Sequence, residues 1–221
     1  MSPHVWNTEQ LPPLGKSDTV GHALQLMDDF KLAHYPVVDD QGVYLGLLRE
    51  SDLLEIEDPT NPLESLVYTG FRPYIQEHHS IFKRLKVFTD HRLTVLPIVD
   101  DKQVMIAVML ISDVIEFFRE TPTLMQPGAI VELAVEGQQY SLVEMAGIVE
   151  QNEAKVLGLW ITGATDDGKL IVLLKLNRTF VQPVVQSFER YGYTILAVFG
   201  DEQNVEDLKY RYDLLMKYLN P

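Results

Sequence analysis

There is no cysteine among the 221 residues, which removes disulfides, thiolate metal sites and cysteine nucleophiles from consideration. A thiol-free chain suits a reducing compartment, and a cytoplasmic location is the expectation. Long apolar runs are also missing. The longest, "VMIAVMLI" at 104–111, has the length of a strand and falls far short of the roughly 20 residues a membrane-crossing helix needs. The opening "MSPHVWNTEQLPPLGKSD" lacks a basic stretch followed by an apolar core, so no secretory leader is expected. Basic residues are scarce, 18 against 32 acidic for a formal charge of −14. The imbalance runs through the chain, with 10 basic and 19 acidic residues up to Leu124, then 8 and 13. Such a surface repels phosphate backbones and anionic headgroups, so neither nucleic acid nor membrane is an expected partner. No GxSxG, HExxH, P-loop or dinucleotide fingerprint occurs, and no nucleophile has a base beside it. The chain is not expected to be an enzyme.

What is present is a duplication. "HYPVVDDQGVYLGLLRESDLLEI" from residue 34 and "VLPIVDDKQVMIAVMLISDVIEFF" from residue 95 align without a gap. Pro36 falls on Pro97, Asp39-Asp40 on Asp100-Asp101, and Ser51-Asp52 on Ser112-Asp113. Each copy reads as coil, helix, strand, turn, strand, helix. Ser17 or Asp18 is the expected cap of a first helix beginning near Thr19 or Val20. Val20, Ala23, Leu24 and Met27 recur there at helical spacing, as Ile81, Leu85 and Phe88 do in the second copy. Gly42 supplies the turn residue that can take positive φ. A three-proline spacer, "EDPTNPLESLVYTGFRP", joins the copies.

After Phe118, "RETPTLMQPGA" reads as a linker. Beyond it the order is strand "AIVELAVE", helix "QYSLVEMAGIVEQN", strands "AKVLGLWITGA" and "KLIVLLKLN" across a "TDDG" turn, helix "TFVQPVVQSFERYG" and strand "YTILAVFG". That β-α-β-β-α-β order is the ferredoxin-like split, with Pro183 fitting the first turn of its helix. "NVEDLKYRYDLLMKYL" reads as one further amphipathic helix.

The duplicated unit resembles the CBS domain, a β-α-β-β-α fold that occurs in tandem pairs. The resemblance rests on the "hPVVD" strand, the turn, the glycine-bearing strand and the aspartate at the next helix start. It implies binding of an adenine nucleotide (AMP, ADP, ATP or another adenosine-containing ligand) between the copies, with a hydroxyl and a carboxylate holding phosphate and ribose. Copy one keeps Gly46 and Asp52 but has Arg49 where the hydroxyl residue stands in binding members. Copy two keeps Asp113 alone, with Leu110 at the hydroxyl position. Tyr35, Pro36, Val37, Gly46, Arg49, Asp52 and Asp113 are the candidate ligand residues. The tail resembles an ACT domain, an amino-acid-sensing module, with Gly137, Gln138, Gln139, Tyr140 and Ser141 in the loop after its first strand. A CBS pair with an ACT-like tail is similar to the bacterial acetoin-utilisation B-type proteins.

The expected class is therefore α+β: CBS repeats at 1–65 and 66–120, a linker at 121–128, and an ACT-like domain at 129–221. The expected function is a non-catalytic, ligand-sensing regulatory module. The alternative is a ligand-free dimerisation scaffold serving an unknown protein partner. Each reading has a plain structural counterpart. Asp52 and Asp113 can simply cap their helices, and Arg49 can sit in solvent or pair with Glu50 or Asp52 of a neighbour. His78-His79 precede a helix with no third ligand at suitable spacing, so no metal is expected. Lys83, Arg84 and Lys86 should solvate a helix face, and the paired aspartates should be solvated hairpin tips. Leu24, Met27, Leu53, Phe82, Leu85, Ile115 and Phe118 exceed what one core needs, so a homodimer through these helices and the ACT-like part is expected.

Overall fold

A computed structural model describes residues 6–7, 9–66 and 70–200. The fold is mixed α+β, and its contacts divide after Glu120 into unit 1 and, from Thr121, unit 2. The amphipathic segment expected beyond residue 200 lies outside the described residues.

Unit 1 opens with β1 (Trp6–Asn7). Copy one then runs β2 (Leu14–Gly15), α1 (Val20–Phe30), β3 (His34–Val38), β4 (Tyr44–Arg49) and α2 (Glu50–Leu54). Copy two repeats this order as β5 (Ile75–Gln76), α3 (Ile81–His91), β6 (Val95–Val99), β7 (Met105–Leu110) and α4 (Ile111–Arg119). β2 and β5 fall where the residue pattern reads as coil. Each is two residues long and pairs in parallel with the strand that follows its helix. The sheets are β2-β3-β4 and β1-β7-β6-β5, so the chain start crosses to the edge of copy two.

Corresponding residues do corresponding work. Thr19 and Ser80 cap α1 and α3, accepting from His22 N and Lys83 N, whereas capping by Ser17 or Asp18 was expected. Asp18 is occupied one turn earlier, accepting from Gly15 N at 2.7 Å. Lys31 and Arg92 end the two helices in the left-handed region, and the first aspartate of each DD pair holds its hairpin. Asp39 accepts from Gln41 N and Val43 N, and Asp100 from Lys102 N and Val104 N. Asp39 and Asp100 are thus Asx-turn residues rather than solvated tips. The hairpins also clasp each other about a pseudo-twofold. Tyr44 N donates to Gln103 O and Met105 N to Gly42 O, both at 2.9 Å. One continuous core fills the space beneath both sheets, from Leu14, Met27 and Leu53 to Phe88, Leu96 and Met109.

Two sequence expectations fail on burial. Arg84 is 4% exposed, and its guanidinium donates back to His79 O and Glu77 O at 3.0 and 2.7 Å. The aligned residue in copy one is Ala23, a core position, so the arginine stem packs inward and its head meets the carbonyls before the helix. Desolvation lowers its pKa, partly countered by Glu77. Met27 and Leu53 also belong to the core rather than to a surface.

Unit 2 comprises α5 (Pro122–Met125), β8 (Ile130–Val135), α6 (Leu142–Gln151), β9 (Val156–Ala164), β10 (Leu170–Leu176), α7 (Gln182–Arg190) and β11 (Thr194–Phe199). Strand order β11-β8-β10-β9, antiparallel throughout, is the ferredoxin-like arrangement. Pro183 sits in the first turn of α7, as expected. The stretch read as linker carries α5, whose Leu124 carbonyl accepts from the Lys175 ammonium. On β9, Gly158 leaves the room that the Trp160 ring occupies, since a Cβ there would meet the indole at 2.2 Å.

Candidate functional site

The register of β3 against β4 assembles the candidate residues of copy one. Gly46 lies opposite Val37, Leu47 opposite Pro36 and Arg49 opposite His34. Tyr35, Pro36 and Val37 are enclosed. The Tyr35 hydroxyl donates to Pro12 O at 3.1 Å, and burial pushes its pKa up to about 12, with the Asp29 charge adding to the shift. Side chains alternate along the strand, so Tyr35 and Val37 share one face and Pro36 the other, and Tyr35, fully buried, presents no open face to a base.

Arg49 ends β4 and begins α2. Its guanidinium carbon stands 3.7 Å over the Phe71 ring, a cation–π contact, so neither open solvent nor an acidic neighbour defines its position. Phe71 comes from the spacer between the copies, held there because its carbonyl accepts from Leu47 N at 3.1 Å. The same ring lies 6.3 Å from His34 and 5.9 Å, edge-on, from His91 at the end of α3. His34 reaches copy two as well. Its Nδ1 is 3.3 Å from Thr94 Oγ1 and accepts from Thr94 N at 3.4 Å. An accepting Nδ1 places the proton on Nε2, a neutral ring. Burial and then the Arg49 charge hold the His34 pKa below its ordinary value, against a smaller upward pull from Asp52.

The two aspartates differ. Asp113 is 8% exposed, and its Oδ2 accepts from Leu110 N at 2.7 Å, closing the start of α4. Asp52 holds the aligned position, but the capping contact that Asp113 makes at Leu110 has no counterpart at Arg49, the residue before α2. Its carboxylate is exposed and accepts from the adjacent Ser51 hydroxyl at 3.2 Å. The structure thus brings Arg49 and Asp52 to one end of β4, beside His34, Phe71, His91 and Thr94, and leaves Asp113 to copy two's helix. These four are what sequence reasoning missed. His34 carried a signal, being polar where copy two has Val95. Phe71 carried none, because its place depends on how the spacer folds back. Among the described residues no His/Asp/Glu group could hold a metal ion, and no helix is long and apolar enough to cross a membrane.

The CBS domain family model matches residues 5–58, the stretch that forms copy one. Inosine-5'-monophosphate dehydrogenase of Methanocaldococcus jannaschii is 29% identical over 99 residues, 45% of this chain and 20% of that enzyme. The chain therefore spans about a fifth of that relative. Among solved structures, a CBS domain pair/ACT domain protein from Thermotoga maritima is 25% identical, with a TM-score of 0.47 over 52% of this chain and 93% of that one. A Vibrio cholerae protein named for acetoin utilization is 22% identical, with a TM-score of 0.42 over 48% and 80%. CBSX2 in complex with AMP is 18% identical, with a TM-score of 0.45 over 51% and 90%.

Proposed function

We propose that unit 1 works as a tandem CBS pair that senses an adenosine-containing nucleotide through copy one, as a regulatory module without catalysis of its own. The observation that carries this reading is the asymmetry of the aligned aspartates. Asp113 is consumed by its helix start, whereas Asp52 is exposed and free to accept a ribose hydroxyl pair. Arg49 stands at the same end of β4 and supplies a planar cation suited to phosphate. The family match on copy one supports the same side of the pair. Ligand binding would pull Arg49 off Phe71 and so alter a contact between copy one and the spacer, which is how a bound nucleotide could bias the pair between two arrangements.

Titration calorimetry of the parent, Asp52→Ala and Asp113→Ala with AMP, ADP and ATP tests the reading. Asp52→Ala should weaken binding by about 1.5–3 kcal/mol, the usual loss for hydrogen bonds to a charged group. Asp113→Ala should leave affinity within a few-fold. Equal losses would refute a one-sided site. Absence of binding by the parent would favour the scaffold reading, in which the cysteine-free chain assembles in the cytoplasm as a homodimer. That second reading has its own observation. Phe82 and Ile115 are 70% and 66% exposed, and Phe82 lies 6.5 Å from Phe118, an apolar patch across α3 and α4. Phe82→Glu should then shift the mass found by light scattering from dimer to monomer.

A further inference from the structure

Unit 2 holds a cavity of about 430 Å³ lined by Gln138, Gln139, Tyr140, Ser141, Glu144, Tyr191, Gly192 and Tyr193. The β8–α6 loop supplies one side and the turn from α7 into β11 the other. Its volume lies within the range of small-molecule sites, and three of its eight lining residues are tyrosines. Glu144 is the one charged residue of that lining, and no lysine or arginine shares it. Two cations of unit 2, Arg190 and Lys169, have partners of their own. Arg190 donates to Ser187 Oγ at 2.8 Å, and Lys169 pairs with Asp167 and Glu136. The Glu144 charge therefore faces the cavity without a basic neighbour in its walls. Ser141 caps α6 by accepting from Glu144 N at 3.3 Å, and the Glu144 carboxylate in the first turn offsets the helix-terminal positive potential. Burial, then the Glu144 charge and a hydrogen bond to its carboxylate raise the Tyr193 pKa, so this tyrosine hydroxyl and the carboxylate meet in the cavity wall.

We propose that this cavity is a site for a small organic cation of the methylated-ammonium class. Aromatic faces attract such a cation through the ring quadrupole, a carboxylate supplies the counter-charge, and the carboxamides of Gln138 and Gln139 accept from any hydroxyl the cation bears. An anion would meet Glu144 and no opposite charge. A neutral apolar ligand would leave the carboxylate and carboxamides unpaired on burial.

The probes are tetramethylammonium, choline and choline's uncharged tert-butyl isostere, titrated into the full chain by calorimetry. The two cations should bind and the isostere should bind at least about tenfold more weakly. Tyr191→Ala and Glu144→Gln should each weaken choline by roughly 3- to 30-fold. Tyr191→Phe, which keeps the ring, should retain binding. Matched far-ultraviolet dichroism and thermal unfolding show that each variant folds. Equal affinity for the isostere overturns the cationic assignment, and unchanged affinity in both Tyr191→Ala and Glu144→Gln overturns the location. No heat from either cation up to about 50 mM overturns the site altogether.

Discussion

Copy one and copy two have the same elements, the same helix caps and the same Asx turns, yet they spend aligned residues differently. At the aspartate position, copy two uses the carboxylate to close the first turn of α4, while copy one leaves it exposed beside an arginine. Inside the first helix, copy one has Ala23 and copy two has Arg84, folded back onto loop carbonyls. At the hairpin, Gly42 and Gln103 adopt the same left-handed backbone, at φ 78° and 66°. In copy one that conformation is free of strain, and in copy two a Cβ-bearing residue bears it. The lesson is that duplication conserves the backbone problem and frees the side chains. Copy two puts polar side chains into holding its own fold, and copy one leaves the aligned carboxylate exposed.

The largest test makes copy two match copy one inside the helix. Arg84→Ala removes a buried charge-assisted pair of bonds to Glu77 O and His79 O, and should cost about 1.5–3 kcal/mol in urea unfolding. Next comes the aspartate contrast, read as stability rather than affinity. Asp113→Ala should cost about 1–2 kcal/mol, since a carboxylate bond at a helix start is lost. Asp52→Ala should stay within about 0.5 kcal/mol of the parent, as expected for an exposed side chain. Equal costs would erase the distinction between the copies.

His34 gives a pH signature that Val95 in copy two cannot. Its folded pKa lies below the ordinary 6.5, so the unfolded chain takes up a proton first as pH falls. Stability from this group is complete above about 6.5 and declines below it, down to the folded pKa, by at most about 1.4 kcal/mol per pH unit. His34→Gln keeps an acceptor for Thr94 N and should flatten that acid limb in unfolding measured from pH 7 to 5. His79, also lowered mainly by burial, leaves a residual slope of the same sign. The smallest effect is expected at the hairpin. Gln103→Gly should stabilise by up to about 1 kcal/mol, whereas Gly42→Ala should destabilise.

Much of this was legible because it is local. Pro183 could sit only in a first turn, and "TDDG" fixed the β9–β10 hairpin, whereas the cap of α1 falls on Thr19 rather than on the expected Ser17 or Asp18. The gapless alignment of the copies revealed a repeated fold before any contact was known. Less legible were the two-residue strands β2 and β5, too short to carry a periodic pattern, and the four-residue helix α5 within the expected linker. Of the candidate residues, Arg49 and Asp52 were legible as neighbours at one end of β4. The Arg49–Phe71 stack and the His34–Thr94 contact join positions 22 and 60 residues apart in sequence, and no spacing rule links them.

By itself, then, the sequence determined the repeat, the turns and the β-α-β-β-α-β order of unit 2, because each depends on backbone preferences and side-chain periods within a few residues. Only the tertiary structure decided which aspartate is held and which is exposed, that Arg84 turns inward and that Arg49 rests on Phe71. A polar side chain's partner is set by whatever the fold brings within hydrogen-bonding or stacking reach, and aligned residues in two copies of one fold meet different neighbours.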